Sequence, residues 1–197
     1  MSEPRVRCAW CVGDRLYEAY HDEEWGVPVR DDQALFERLM LEGFQAGLSW
    51  ITILRKGENF FRAFDGWNPE IISLYGPDDI ARLMVDPGII RNRLKVEGAV
   101  KNARAYLRLR EERSFSDHLW SFVGGEPLRT PSPLLPGTIP ATTPQSDAMS
   151  KDLKKRGFTF VGSTICYAFM QSAGLVDDHV AGCWKAAAQN GGALSWE

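Results

Sequence analysis

Near its carboxyl end the chain places a histidine and a cysteine four residues apart, in the segment LVDDHVAGCW (175–184). At that spacing, His179 and Cys183 would share one face of a helical turn. An imidazole and a thiolate are two of the four ligands that a tetrahedral zinc ion takes in proteins. The spacing therefore predicts half of a metal site, whose other half must come from elsewhere in the chain.

The complementary ligands are expected at the amino end, where Cys8, Cys11 and His21 lie. Cys8 and Cys11 have the Cys-x-x-Cys spacing of many zinc sites, and Cys8 with His21 is a second pair that would complete the set. The residues alone leave both pairs open, together with the alternative that these thiols and histidines bind no metal. With either pair all four ligands would be protein side chains, so the predicted ion is structural and would tie the two ends of the chain together.

The other candidate ligands have simpler explanations. Cys166 lies in the apolar stretch TICYAFMQ and is predicted to be a buried packing residue, and His118 has no thiol near it. His21-Asp22-Glu23 matches the His-x-Glu of zinc nucleobase deaminases. In this chain, however, the Cys-x-x-Cys comes before that motif and no strand pattern supports an α/β unit. The deaminase interpretation is therefore disfavoured.

Length and composition indicate one globular domain over residues 1–197. Hydrophobic residues make up 44% and charged residues 25%, and no run of eighteen apolar residues or signal-peptide pattern occurs. We therefore expect a monomeric cytoplasmic protein with reduced thiols and no membrane contact. The net charge of −3 argues weakly against a nucleic-acid partner, but basic residues gather in 91–113 and 151–156. From charge alone, solvated helix faces are the favoured explanation of these two clusters.

Helical spacing recurs along the chain and strand-like alternation is scarce, which predicts an all-α fold. In the third predicted helix, 68–76, Asn68 is the expected N-cap and Pro69 lies in the first turn. A stretch with six prolines, 124–144, is predicted to be an extended loop that either connects two lobes or forms a functional surface. The predicted helices are 31–43, 44–56, 68–76, 77–84, 91–112, 146–157 and 162–174.

The segment RGFTFVGST (156–164) lies between the last two predicted helices. Gly157 would end one helix and Gly162 would begin the next. This arrangement resembles the hairpin of helix-hairpin-helix DNA-binding proteins, whose glycine-rich turn presents backbone N–H groups to a phosphate. A plain αα-hairpin with glycine caps is the alternative interpretation.

Longer motifs narrow the resemblance. YHDEEWG, LEGFQAGLSW and KKRGFTFVGSTICYAFMQ, together with Val176-Asp177-Asp178-His179 after the hairpin, closely resemble the DNA-3-methyladenine glycosylase I family of base-excision enzymes. The resemblance runs from Cys8 to Cys183. It implies a two-lobed helix-hairpin-helix glycosylase, with the hairpin near 146–174 and terminal zinc-binding segments at 8–21 and 179–183.

The same resemblance implies one structural zinc ion per chain, held by Cys8, His21, His179 and Cys183. It leaves Cys11 as an additional thiol that would compete for the metal.

The implied substrate is 3-methyladenine in double-stranded alkylated DNA. An aromatic box would suit this cationic base. The resemblance favours Tyr20 and Trp50 as the stacking pair, and Tyr17, Trp10 and Trp25 would stand behind them; core packing is the alternative for each. Glu42, predicted to end a helix just before Gly43, would hydrogen-bond the polar edge of the base.

Two positions decide the expected chemistry. Thr164 occupies the hairpin position where bifunctional glycosylases carry a nucleophilic lysine, so base removal without strand cleavage is expected. Asp177 aligns with the catalytic aspartate of the superfamily, although asparagine is expected there in this family. Asp177 would either stabilise the developing sugar cation or hold the metal-bearing turn.

DNA contacts are expected from the hairpin and its flanking lysines, and they would weaken as salt rises. Leu48 is either a wedge that fills the gap left by a flipped base or a core residue. Two rival functions stay open: a glycosylase for another lesion such as 3-methylguanine, and a non-catalytic module that senses DNA structure. The expected DNA-contacting residues of the hairpin and its flank are Gly157, Gly162, Ser163, Thr164, Lys154 and Lys155.

Overall fold

The computed structural model describes residues 5–129 and 134–189. Within these ranges the chain forms eleven α-helices, three short 3₁₀ helices and two strands of two residues each. The helices are α1 (Arg15–Glu23), α2 (Asp32–Gln45), α3 (Trp50–Leu54), α4 (Gly57–Ala63), α5 (Pro69–Ile72), α6 (Pro77–Val85), α7 (Arg93–Arg110), α8 (Phe115–Trp120), α9 (Pro144–Lys155), α10 (Ser163–Ser172) and α11 (Trp184–Gln189). The all-α prediction is confirmed.

Side-chain caps begin several of these helices, and the cap at Asn68 is the one that the sequence predicts. The Asn68 side chain accepts a hydrogen bond from the backbone N–H of Ile71, with Pro69 in the first turn of α5. Thr143 and Ser146 cap α9 reciprocally, each side chain accepting from the other's backbone N–H. Four helices were not predicted, namely α1, α4, α8 and α11.

The predicted boundary at Gly43 is wrong. α2 continues through Gly43 to Gln45, the chain turns at Gly47 with a positive φ of 83°, and α3 begins only at Trp50. The reason is packing, because a Cβ added at Gly43 would lie 3.3 Å from Cβ of Phe160 in the hairpin. Gly43 gives the hairpin room to approach α2, and Glu42 consequently lies inside the helix.

The core consists of two hydrophobic clusters. The larger contains the inward faces of α2, α7, α9 and α10, and the smaller joins the two ends of the chain through Cys8, Tyr20, Trp25, Val180, Cys183 and Ala186. Trp50 and Ile139 pack against both clusters. The boundary between the clusters therefore lies beside Trp50, where a cavity opens.

The proline-rich loop is tied to the segment that precedes His179. Its strand β1 (Leu128–Arg129) pairs in parallel with β2 (Val176–Asp177), in the register Leu128 to Val176. This pairing was not predicted, because strands of two residues leave no alternation in the sequence. In the part of the chain that the structure describes, no helix is both long and apolar enough to cross a membrane.

Candidate active site

A cavity of about 240 Å³ opens where α1, α2, α3 and α10 meet the proline-rich loop. Ile139 of that loop lies in its wall, so the loop forms part of a candidate functional surface. The cavity is lined by Trp10, Tyr17, Tyr20, Trp25, Glu42, Gln45, Trp50, Ile139, Ala168 and Gln171.

The structure brings all five predicted aromatic residues to this cavity. Tyr17 and Tyr20 share a face of α1 because they are three residues apart. The ring of Trp10 lies 4.9 Å from that of Tyr17 and 5.1 Å from that of Trp25, both edge to face. The ring centroids of Tyr20 and Trp50 are 5.5 Å apart, with their planes tilted by 46°. Such electron-rich walls suit a flat cationic ligand.

Among the described residues, Glu42 is the one acidic residue in the wall, and its side chain is buried. Burial raises the pKa of its carboxyl group from the usual 4.5 to about 8, because desolvation penalises the charged form; the hydroxyl of Ser172 and the charge of Arg38 act in the opposite direction. Arg38 is anchored by donating to the backbone oxygen of Ser172 at 2.6 Å. A perturbed acid at the wall of a cavity is typical of a functional site.

Sequence reasoning missed four residues of the wall, Gln45, Ile139, Ala168 and Gln171. Gln171 is the most informative of them, because its side-chain Nε2 donates to Oδ2 of Asp178 at 2.7 Å. Asp178 is itself buried and also accepts from the Tyr167 hydroxyl. The signal that was available is polarity, since Gln171 lies in the otherwise apolar run ICYAFMQ.

A cluster of metal-ligand types lies between the two ends of the chain. One ligand atom from each of Cys8, His21 and Cys183 lies within 4.8 Å of the other two, and all three residues are buried. Nε2 of His21 lies 3.4 Å from Sγ of Cys183. Cys11 is outside this group, and its thiol donates to the backbone oxygen of Cys8 at 3.1 Å.

His179 lies next to this cluster. Its ring centroid is 5.2 Å from that of His21, and its Nε2 is buried with no hydrogen-bond partner among the described residues. A buried, unpartnered imidazole nitrogen is costly unless another group engages it. Two thiols and two imidazoles are the donor set of a structural zinc site, so the residues present fit that ion.

Carboxylates orient both histidines. Oδ1 of Asp22 lies 2.9 Å from Nδ1 of His21, and Oδ1 of Asp177 lies 2.8 Å from Nδ1 of His179. Asp22 also accepts three hydrogen bonds from two nitrogens of Arg7, which lower the pKa of its carboxyl group. Carboxylates paired with Nδ1 leave Nε2 available as a ligand atom, as in many metal sites. Asp177 therefore faces His179, and it is not among the residues that line the cavity.

The hairpin between α9 and α10 is held from both sides. Gly157 follows the end of α9 with a φ of +94°, and Gly162 precedes α10. The backbone of Thr159 is bonded in both directions to the side chain of Asn102, at 2.7 and 3.0 Å. Phe160, with a φ of +56°, packs close to the backbone of Gly98 on α7.

The exposed rim of the hairpin carries the predicted DNA-contacting side chains. Lys154, Lys155 and Thr164 are exposed, and Ser163 at the start of α10 is partly exposed. The basic side chains and the turn are therefore on the same accessible segment.

Leu48 is also exposed, with 38% of its surface accessible, so it is not a core residue. Gln45 closes this turn by donating to the backbone oxygen of Leu48 at 2.8 Å. The ammonium group of Lys95 holds the preceding residues by donating to the backbone oxygens of Phe44 and Ala46. Leu48 thus projects from a turn that is anchored on both sides.

Comparison with known proteins is consistent with this site. Residues 10–186 match the family model described as methyladenine glycosylase. The chain is 52% identical to DNA-3-methyladenine glycosylase 1 of Escherichia coli (strain K12), over 90% of this chain and 95% of that protein. It is 50% identical to DNA-3-methyladenine glycosylase of Haemophilus influenzae, over 90% of this chain and 96% of that protein.

Solved structures agree in fold. A crystal structure of 3-methyladenine DNA glycosylase I superposes with a TM-score of 0.88 at 51% identity, covering 91% of this chain and 98% of that one. The enzyme from Staphylococcus aureus, whose structure addresses recognition of 3-methyladenine, gives a TM-score of 0.87 at 39% identity, over 90% of this chain and 95% of that one. The family model and these close relatives cover nearly the whole chain, and this protein belongs to the methyladenine glycosylase family.

Proposed function

We propose that this protein is a DNA repair glycosylase that hydrolyses the N-glycosidic bond of 3-methyladenine in double-stranded alkylated DNA and leaves an abasic site. The observation that carries the proposal is a buried acid, Glu42, in a cavity with aromatic walls, in a chain of the methyladenine glycosylase family. The Staphylococcus aureus relative is described as recognising 3-methyladenine. We further propose that the protein acts as a cytoplasmic monomer of one domain.

The chemistry requires little acid catalysis. Methylation at N3 leaves the base with a positive charge, so it is already a good leaving group. When the C1′–N9 bond breaks, its electron pair goes to the base, which departs neutral, and the positive charge passes to the sugar. Water then adds to C1′ and loses a proton. The protein's main tasks are to accept a base flipped out of the duplex and to reject undamaged purines.

The aromatic walls serve the first task. We assign Tyr20 and Trp50 as the residues that stack on the base, since both rings line the cavity and their centroids lie 5.5 Å apart. Trp10, Tyr17 and Trp25 extend the wall behind them. A cationic ring gains roughly 0.5–2 kcal/mol from each good aromatic contact.

Glu42 serves the second task. In the free cavity, burial favours the neutral acid, since its pKa is raised to about 8. A cationic base brings an opposite charge next to the carboxyl group, which favours the ionised form. The carboxylate then accepts from the exocyclic amine and balances the charge of the base. Neutral adenine supplies no such charge, so the same group distinguishes damaged from undamaged base.

The zinc assignment is also a proposal. Cys8, His21, His179 and Cys183 would hold the ion, as the clustering of three of them and the unpartnered Nε2 of His179 support. With four protein ligands, zinc contributes folding free energy and leaves no position for a substrate. The ligands join the amino end of the chain to the segment after β2 and thereby support the wall that Trp10 and Trp25 form.

We assign the α9–α10 segment as a helix-hairpin-helix motif that binds the DNA backbone. The backbone from Gly157 to Thr164, with Ser163 at the start of α10, would contact phosphates, and Lys154 and Lys155 would add attraction that falls with salt. Leu48 would fill the gap left by the flipped base, since it is exposed on an anchored turn.

Thr164 limits the reaction to base removal, and Asp177 has a structural role. Thr164 supplies a hydroxyl where a Schiff-base mechanism needs an amine, so the enzyme is monofunctional. The bond between Asp177 and His179 supports a structural role for this aspartate rather than a role at the sugar.

Base release tests the proposal. Double-stranded DNA treated with a methylating agent is incubated with the wild-type protein and with Glu42→Ala, and the released bases are separated by chromatography. We expect free 3-methyladenine from the wild type and at least about a hundredfold less from the variant. Binding of the DNA without release of any base would instead indicate a non-catalytic DNA-binding module. Cleavage of the strand at the abasic site would contradict the monofunctional mechanism.

A further inference from the structure

One glutamine in the cavity wall has a fixed orientation. The carboxylate of Asp178 accepts from the side-chain Nε2 of Gln171 at 2.7 Å, and the same oxygen accepts from the hydroxyl of Tyr167. Asp178 is only 4% exposed, and Tyr167 is also buried. A buried acceptor with two donors holds the amide group of Gln171 in place.

This bond determines which end of the amide is free. A carboxylate accepts hydrogen bonds, so the NH₂ group of Gln171 must face Asp178 and the carbonyl Oε1 must be the other end. No described residue donates a hydrogen bond to Oε1. Gln171 lines the cavity, so Oε1, the polar atom of its side chain that remains available to a ligand, is an acceptor.

A fixed acceptor discriminates between two purines of the same size. 3-Methyladenine carries an amino group at position 6, which donates. 3-Methylguanine carries a carbonyl oxygen there, which accepts. An acceptor that faces position 6 gains a hydrogen bond with 3-methyladenine. With 3-methylguanine, it is repelled by the lone pairs of the carbonyl oxygen.

Glu42 supplies this discrimination less strictly, because its carboxyl group also has a protonated form. Its carboxyl group accepts when ionised but can also donate when protonated, and burial favours the protonated form. The protonated group could therefore hydrogen-bond a carbonyl oxygen as well as an amine. The amide of Gln171 has no such second form while Asp178 holds it.

We propose that Gln171, oriented by Asp178, makes this enzyme selective for 6-amino over 6-oxo 3-methylpurines. Gln171 contacts the base as a specificity-determining residue, and Asp178 is a positioning residue. This inference rests on the proposed glycosylase function and deepens it.

Release of the two bases from one methylated DNA sample tests the inference. We measure the ratio of the initial rates for 3-methyladenine and 3-methylguanine in the wild type, Gln171→Met and Asp178→Asn. Methionine has nearly the same length and shape without the strong acceptor. We expect Gln171→Met to lower the ratio about tenfold. Asp178→Asn should lower it too, because an amide partner lets Gln171 turn its NH₂ group toward the base.

Tyr167→Phe is the matched control. It removes the other donor to Asp178 and keeps the bond to Gln171, so stability should fall while the ratio stays the same. If both test variants keep the wild-type ratio, even with slower release of both bases, the inference is wrong and Gln171 is only structural. If one variant does not fold, the ratio in the other decides. A wild type that releases neither base would overturn the proposed function itself. If the wild type releases 3-methyladenine, the proposed function stands, and an unchanged ratio in the variants then contradicts only the role of Gln171.

Discussion

Nδ1 of His179 donates a hydrogen bond to Oδ1 of Asp177 at 2.8 Å, and this leaves the opposite ring nitrogen, Nε2, buried without a hydrogen-bond partner among the described residues. The next residue, Asp178, points elsewhere and holds Gln171 at the cavity wall. Two consecutive aspartates thus have two different partners. One orients a candidate metal ligand and the other orients a candidate base contact.

Asp177→Asn should leave excision nearly unchanged and weaken zinc binding by about tenfold or more. The asparagine oxygen still accepts from His179, but the negative charge that makes the imidazole a stronger ligand is lost. Excision is measured on methylated duplex DNA, and zinc affinity by competition with a chromophoric chelator. A fall in kcat of more than about a hundredfold, with zinc still bound at one ion per chain, would instead place Asp177 at the sugar.

Cys8→Ser should abolish stoichiometric zinc binding, whereas Cys11→Ser should retain it. The thiol of Cys8 lies in the cluster with His21 and Cys183, and that of Cys11 lies outside and donates to a backbone oxygen. Metal content of the purified proteins, measured by mass spectrometry, checks this difference. Because structural zinc binding is coupled to folding, Cys8→Ser should also unfold at a lower temperature. Equal zinc loss in the two variants would show that Cys11 is a ligand.

Glu42 should make stability fall as pH rises. Its pKa is 4.5 when unperturbed and about 8 in the folded protein. Between these values the folded state keeps a proton that the unfolded state has released, so the free energy of unfolding decreases with pH, by at most about 5 kcal/mol. Below pH 4.5 both states are protonated and the effect is absent.

The variant Glu42→Gln isolates this contribution. Since glutamine does not titrate, the variant should gain stability relative to the wild type between pH 5 and pH 9. Urea unfolding of both proteins at the two pH values measures this difference, and groups common to both proteins cancel. A difference that does not change with pH would mean that burial leaves the pKa of Glu42 near its usual value.

Gly98→Ala should destabilise the protein by about 1–3 kcal/mol, because the added Cβ would lie 2.9 Å from the ring of Phe160. Gly57→Ala is the control, because its added Cβ meets nothing within 4 Å. Both substitutions restrict the unfolded chain similarly, so the difference between them reports the hairpin contact. Urea denaturation measures it, and equal effects would contradict the packing of Phe160 against α7.

Lys154→Ala and Lys155→Ala should each lower the slope of log affinity against log salt concentration by about 0.9. Both side chains are exposed at the end of α9, next to the hairpin. Affinity for duplex DNA is measured by fluorescence anisotropy at several salt concentrations. Lys101→Ala, in an exposed position on α7 outside the hairpin, should leave the slope unchanged. An equal change in all three variants would mean that the hairpin has no special part in DNA binding.

Local features account for what the sequence predicted well. The N-cap at Asn68, the glycines that flank the hairpin and the helical class all depend on residues a few positions apart. Covalent spacing and local propensity were enough for these predictions. The pocket roles of Glu42 and Trp50 were implied instead by the resemblance of the surrounding motifs to a known family.

The sequence by itself determined the helical class, seven of the eleven described helices and the kinds of side chain available for chemistry. The tertiary structure alone decided that α2 runs past Gly43 and that Gln171 reaches the cavity, and it places His21 rather than Cys11 beside Cys183, a choice that the residues by themselves left open. The physical reason is that each of these depends on distances between segments far apart in the chain. Such distances are determined by how side chains pack in the core, and no spacing along the sequence encodes them.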